Sequence, residues 1–125
     1  MDKSYRKEYS EYIIQNSTIS NYSSKNLHDI VLDTAENLTQ IGLWTLNCFN
    51  KEQNRIKLFL SLTRKNMNAL HGFPLAREFN RDFEEFYGIY DKLEKEYDTG
   101  IVNKTVWGNL MLKWGTSFSL SSKSI

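Results

Sequence analysis

The sequence contains a single cysteine, Cys48, and a single proline, Pro74. One cysteine cannot form an internal disulfide, so the chain is no disulfide scaffold, and a reducing compartment is expected. Glycine is also scarce, with six residues, and breakers this rare favour long helices over short strands. A length of 125 residues fits one domain.

Long apolar runs and an excess of one charge are also missing. No stretch approaches the roughly 20 apolar residues of a membrane span, so we expect no transmembrane helix. The first apolar cluster, Tyr12 to Ile14, is too short for a signal-peptide core, which favours a cytoplasmic location. Lysine and arginine number 16 against 15 aspartates and glutamates, and this balance argues against a nucleic-acid partner.

Aromatic residues are abundant, at 14%, and many lie in the segment that follows Pro74. Between Pro74 and Tyr97 the apolar residues recur at alternating intervals of three and four. This spacing predicts one helix face packed in heptad fashion. The residues of the face are Ala76, Phe79, Phe83, Phe86, Tyr90, Leu93 and Tyr97.

The preceding segment, from Leu27 to His71, has helical periodicity throughout and predicts one helix of about 45 residues, roughly 70 Å long. Glu52 and Gln53 are polar positions on its apolar stripe. The segment ends at Gly72-Phe73-Pro74, where glycine permits a left-handed residue and proline suits the first turn of the next helix.

These features predict an all-α fold based on a long antiparallel helical hairpin of coiled-coil type. Its return arm, from Pro74 to about Trp114, is expected to be kinked near Gly100. The predicted core seam consists of Leu38, Ile41, Phe49, Ile56, Phe59, Phe79, Phe83, Phe86, Tyr90 and Leu93.

The chain divides into three predicted parts. Residues 1–25 form a polar segment with a short amphipathic helix, on which Tyr5, Tyr9 and Tyr12 share helical spacing. Residues 26–115 form the hairpin domain. Residues 116–125 are rich in serine and are predicted to be a disordered tail.

Both predicted arms carry apolar residues outside the seam. Trp44, Leu58 and Leu62 lie on a second sector of the first arm, and Ile89 is similarly displaced on the return arm. Two paired helices bury one face each, so these four residues need another cover. We predict that they contact an apolar surface or a partner protein, and that the chain forms a homo-oligomer.

No arrangement for catalysis or metal binding is apparent. His28 and His71 lie near opposite ends of the first arm and cannot converge within it. The acidic run at 82–85 is expected on a solvated face, and Cys48 is expected to act as a small buried hydrophobe. We therefore predict a protein that is not an enzyme, with no catalytic, cofactor or metal site.

The segment from about Ala35 to Leu93 resembles small phasins, the amphipathic helical proteins that coat bacterial polyhydroxyalkanoate granules. The resemblance implies self-association into coiled-coil oligomers, with one face on the polyester and charged faces toward the cytoplasm. It lies in the Glu36-Asn37-Leu38-Thr39-Gln40 opening, the helix through Arg64-Lys65-Asn66-Met67, the break at His71-Gly72-Phe73-Pro74 and the return helix from Ala76.

The expected function is that of a non-enzymatic protein that self-associates and coats an apolar surface, in the cytoplasm or on a granule. The aromatic seam becomes available to such a surface if the hairpin opens. The alternative is a helical adaptor that binds a partner protein through a few aromatic anchors. A structural subunit of a larger assembly is a third possibility.

Overall fold

The computed structural model describes residues 24–75 and 77–123, which form four helices and no strand. The predicted all-α class is confirmed. The predicted N-terminal helix and Ala76 lie outside the described residues. In chain order the helices are α1 (Ser24–Cys48), α2 (Gln53–His71), α3 (Arg77–Thr99) and α4 (Lys104–Ser122).

The first predicted arm is divided between α1 and α2, which corrects the expectation of one helix from Leu27 to His71. The chain reverses between them, and Trp44 on α1 meets Phe59 on α2 with ring centroids 4.9 Å apart. The run from Asn50 to Asn54 is entirely polar, so a straight rod would bury nothing there. Folding back buries the second apolar sector instead.

The return arm also reverses, where only a kink was predicted. Gly100 has a φ of 111°, and its N–H donates to the Glu96 carbonyl oxygen at 2.8 Å, so a left-handed residue ends α3. The Asn103 side chain then accepts a hydrogen bond from the Val106 N–H at 3.1 Å and caps α4. Because α3 ends and α4 begins within a few residues, the chain reverses and α4 packs back along α3.

Helix α4 extends through Ser122, so residues 116–122, predicted as part of a disordered tail, are helical. Phe118 anchors this last part of the helix. It is 1% exposed, and its ring lies 5.6 Å from Phe79 and 5.3 Å from Phe86. Phe118 follows Trp114 by one helical turn, so the apolar face of α4 continues into the serine-rich stretch.

Each helix runs antiparallel to the next. Tyr97, near the end of α3, donates its hydroxyl hydrogen to the Gln53 carbonyl oxygen at 3.1 Å, at the start of α2. Tyr87, further back on α3, donates to Asn68 Oδ1 at 3.0 Å, near the end of α2. The order of these contacts is inverted between the helices, so α2 and α3 are antiparallel.

Helix α4 closes the arrangement by packing along α1. His28 Nδ1 hydrogen-bonds the Ser122 carbonyl oxygen at 2.8 Å at one end of the pair. At the other end, Phe49 after α1 lies 6.2 Å from Tyr97, ring to ring, and 4.9 Å from Lys104 Nζ at the start of α4. The two chain reversals are therefore neighbours, and the four described helices form one antiparallel arrangement in which α1 packs on α4.

Glycines allow α1 and α4 to approach closely. A Cβ atom placed at Gly42 would lie 2.8 Å from the carbonyl oxygen of Gly108, and one at Gly115 would lie 2.6 Å from Thr39 Oγ1. Both distances are shorter than real Cβ contacts. The α1–α4 pair is thus packed backbone to backbone.

Helix α3 fills the interior with rings. Phe86 lies 4.9 Å from Trp114 and 5.4 Å from Tyr90, centroid to centroid. Phe49, at the chain reversal, is the half-buried member of the predicted seam. The other nine seam residues are buried, namely Leu38, Ile41, Ile56, Phe59, Phe79, Phe83, Phe86, Tyr90 and Leu93.

Candidate binding surface

The four residues predicted to contact an apolar surface do not form an exposed face. Trp44 and Leu62 are only 8% and 4% exposed, and Leu58 and Ile89 are half-buried against the core. The expectation that they need an external cover is corrected by the fold. Because α1 and α2 pack side by side, the second sector of the first arm faces the molecule's own interior.

The exposed apolar residues lie elsewhere, on the paired helices α1 and α4 and just before α4. In the described part of the chain, every exposed large hydrophobic residue belongs to α1, to α4 or to the segment that precedes α4. The most exposed is Val102, at 96%. The full set is Leu43, Leu46, Val102, Val106 and Leu120.

The paired segments of α1 and α4 are also poor in charge. Residues 37–50 contain no charged side chain, and neither do residues 105–112. The two segments are in direct contact, since Gly42 packs on Gly108 and Leu46 lies over Gly108. Their exposed residues, which we call the neutral face, include Leu43, Leu46 and Val106 together with the amides of Asn47, Asn50 and Asn109.

A shallow cleft lies further along the α1–α4 pair, toward the start of α1. Its volume is about 340 Å³. Glu36 is its one charged lining residue, and the others are small or uncharged, namely Ala35, Thr39, Gln40 and Ser119. The cleft could take one side chain of a partner, with Glu36 favouring a basic group.

The opposite side of the molecule is strongly charged. Helix α2 carries four basic residues and no acidic one, whereas α3 carries eight acidic and four basic residues. Arg64 joins the two helices, since its Nε donates to Glu94 Oε1 at 2.9 Å and its guanidinium contacts Asp91 Oδ1 at 3.1 Å. Burial opposes the charge on Arg64, but the hydrogen bond and charge of Glu94 outweigh it and raise the pKa of the guanidinium.

A second cleft, of about 210 Å³, lies on this charged side. Its lining includes the paired Arg64 and Glu94, with Lys57 and Asp98 also present. Because the guanidinium is already satisfied by carboxylates, the cleft is not arranged to hold an added anion. It is best explained as the solvated edge of the α2–α3 contact.

Tyr90 lies between the charged side and the core. Its ring is fully buried, with the Arg64 guanidinium carbon 4.9 Å from the centroid, and its hydroxyl donates to the Leu60 carbonyl oxygen at 2.7 Å. Burial raises the pKa of Tyr90 well above its ordinary value, and the negative charge of Glu94 adds to the shift. The neutral phenol is therefore the form that the fold requires.

We expect the Tyr90→Phe variant to be less stable at neutral pH by about 1 kcal/mol, because it loses one buried hydrogen bond. Its free energy of unfolding should also fall less as the pH becomes alkaline. Because the pKa of Tyr90 is raised in the folded state, its contribution to stability is fully present below the pKa of the unfolded state, about 10. This contribution is lost as the pH rises toward the pKa of the folded state. Urea denaturation at pH 8 and pH 10.5 measures both effects.

Tyr97→Phe is the matched control for this prediction. Tyr97 is half-buried, and burial also raises the pKa of its phenol, with a further rise from Asp98. Because water still reaches this ring, its substitution should change the alkaline loss of stability less than Tyr90→Phe does. An equal alkaline loss in the wild type and Tyr90→Phe would contradict the assignment to Tyr90.

The histidines and the cysteine hold structural positions. His28 is bonded to the backbone of α4, and His71 stacks on Tyr87 with ring centroids 4.8 Å apart. Cys48 is half-buried at the end of α1. Across residues 24–75 and 77–123, no three His, Cys, Asp or Glu side chains are grouped so as to hold a metal ion.

None of the described helices combines the length and apolar character that crossing a bilayer requires.

Sequence reasoning missed a buried polar layer between α1 and α2. Asn37 and Asn66 are fully buried, and neither amide has a hydrogen-bond partner within the described part of the chain. Trp44 of α1 contacts Phe59 of α2. Asn37 lies seven residues before Trp44, and Asn66 lies seven residues after Phe59. Because the two helices are antiparallel, the two amides lie at the same level along them. A buried asparagine of this kind costs stability and favours one register over its alternatives.

The neutral face was missed as well, although its signal was present in the sequence. The 14 uncharged residues from 37 to 50 are visible without a structure, but the periodicity indicated only one buried stripe through them. Leu43 and Leu46 lie outside both predicted apolar sectors. Their exposure becomes evident only when α4 is placed beside α1.

No family model, curated protein or solved structure matches this chain. The resemblance of Ala35 to Leu93 to phasins stays a prediction.

Proposed function

We propose that this chain is a non-enzymatic helical protein that binds an apolar surface through its neutral face and associates with itself. The observation that carries the proposal is the exposure of Leu43, Leu46 and Val106 on the uncharged segments of α1 and α4, which pack against each other. Exposed large hydrophobic residues that lie close together, without charged residues among them, are typical of a binding site.

The charge distribution supports this orientation. With the neutral face on an apolar material, the charged helices α2 and α3 point toward water. No charged side chain of residues 37–50 or 105–112 has to be dehydrated on contact. Binding is then favoured by roughly 25 cal/mol for each Å² of apolar surface removed from water.

A granule coat of the phasin kind is the form of this function that the sequence resemblance implies. The contact residues differ from those expected from the sequence. Leu43 and Leu46 take the place of Trp44 and Leu62, which stay in the core. Such a protein is cytoplasmic and granule-associated, and its contact with polyester needs no opening of the helices.

The proposal predicts that the wild-type protein binds both triolein droplets and polyhydroxybutyrate particles. The double variant Leu43→Gln, Val106→Gln should bind either material about tenfold more weakly or worse, because it places two amides on the apolar contact. Co-sedimentation or flotation over a range of protein concentrations gives the affinities.

The matched control for this experiment is Leu120→Gln. Leu120 is exposed to a similar degree as Val106, at 59% against 54%, but it lies at the far end of α4, beyond Lys113. This control should bind like the wild type. The proposal fails if the wild type binds neither material, or if the double variant and the control bind equally well.

A helical adaptor is the second candidate, and the 340 Å³ cleft beside α1 favours it. An anchor side chain of a partner helix could enter the cleft while apolar residues of that helix cover Leu43. An adaptor would lose its partner through one or two anchor contacts, whereas a coat weakens gradually with each apolar residue removed.

A further inference from the structure

We propose that the neutral face binds a second copy of this chain across a two-fold axis. The inference rests on the proposed self-association and assigns it to a surface. The partner is thus the same segments, residues 37–50 and 105–112, of another molecule.

The first argument is charge. In a two-fold dimer the same patch meets itself, so every charge near the axis faces an identical charge. The neutral face avoids this repulsion because residues 37–50 and 105–112 are uncharged. The outer faces of α2 and α3 do not avoid it. The charged residues of α2 are all basic, and those of α3 are mostly acidic.

The second argument is chemical self-complementarity. Leucine and valine on one copy can be covered by leucine and valine on the other. The rim of the neutral face consists of asparagines, and an amide both donates and accepts hydrogen bonds, so it can pair with its own copy. Lysine or glutamate at the same places could not do so. These rim residues are Asn47, Asn50 and Asn109, all exposed.

The neighbouring charges mark the limits of the interface. Lys104 Nζ lies over the Phe49 ring at 4.9 Å and Lys113 Nζ near Trp114 at 5.8 Å, so both are held by aromatic rings of their own chain. Glu36 and Lys51 bound the uncharged segment of α1. A stable interface needs about 800 Å² on each partner, so it must span both α1 and α4 within these limits.

The close α1–α4 packing makes such a contact possible. Because Gly42 and Gly108 bring the two backbones together, the exposed residues of α1 and α4 are close neighbours at this contact. A second copy can then lie across both helices at once. Since the same face binds apolar material in the proposed function, a dimer and a surface-bound monomer exclude each other.

Solution mass tests this inference directly. Sedimentation equilibrium of the full chain over a hundredfold range of concentration should show a monomer–dimer equilibrium. Leu43→Asp and, separately, the nearly isosteric Asn109→Asp should raise the dimer dissociation constant about tenfold or more, because each places two like charges at the interface. Both residues are exposed, and circular dichroism verifies that each variant keeps its helices.

Leu120→Asp is the control, and its dissociation constant should match that of the wild type. A dimer that tolerates both Leu43→Asp and Asn109→Asp would overturn this inference while leaving self-association in place. A monomer at every concentration would overturn the inference and the proposed self-association together. Binding of that monomer to triolein droplets would still leave the surface-binding function standing.

Discussion

Phe86→Ala is expected to lower the free energy of unfolding by about 3–5 kcal/mol, the largest effect of any single substitution considered for this protein. Phe86 is fully buried, and its ring contacts three others, Tyr90, Trp114 and Phe118, at centroid distances of 5.4, 4.9 and 5.3 Å. Removing it leaves a cavity where α3 meets α4, because large rings cannot collapse into the space without losing their own contacts.

Chemical denaturation monitored by circular dichroism measures this loss. Phe49→Ala is the control, since Phe49 is half-buried at the chain reversal and truncating it leaves an opening that water can fill. Its cost should be clearly smaller than that of Phe86→Ala. If the two substitutions cost the same, Phe86 is not the centre of the core.

Gly42→Ala is expected to destabilise the protein by about 1–3 kcal/mol, although alanine is the better helix former. The added methyl would lie 2.8 Å from the Gly108 carbonyl oxygen, which belongs to a helix backbone and cannot rotate away. The two helices must therefore move apart at this contact.

Gly88→Ala is the matched control for this prediction. Gly88 is an exposed residue of α3, and a Cβ atom placed there meets nothing within 4 Å. The same substitution should therefore stabilise the protein, by up to about 1 kcal/mol, through helix propensity alone. Thermal denaturation of the two variants should shift in opposite directions. A gain of stability in both would mean that α1 and α4 are not in close contact.

The aromatic helix α3 could be predicted from the sequence because its signal is local. Phe79, Phe83 and Phe86 repeat at intervals of three and four, and this pattern depends on no other part of the chain. The division of the first arm could not be predicted in the same way. Asn50 and Lys51 are compatible with a helix, and only the gain from packing α1 against α2 favours the reversal.

The sequence contains a signal for the pairing of α1 with α4, but the stronger apolar periodicity makes it hard to detect. Ala35 and Gly42 are seven residues apart on α1, and Gly108 and Gly115 are seven apart on α4. Small residues at heptad spacing on two helices suit close packing, and here they mark the contact between α1 and α4. The neutral face depends on this same pairing.

The contact between α1 and α4 has a consequence for how the protein is made. These two helices are the furthest apart in sequence among the four, yet their backbones lie closest together. During translation α1 is synthesised before α4, so its glycine-lined side is covered only once α4 has been made. The nascent three-helix intermediate exposes that side, together with the rings of α3 that Trp114 and Phe118 later cover. The packing of the four described helices is therefore completed only after α4 has been synthesised.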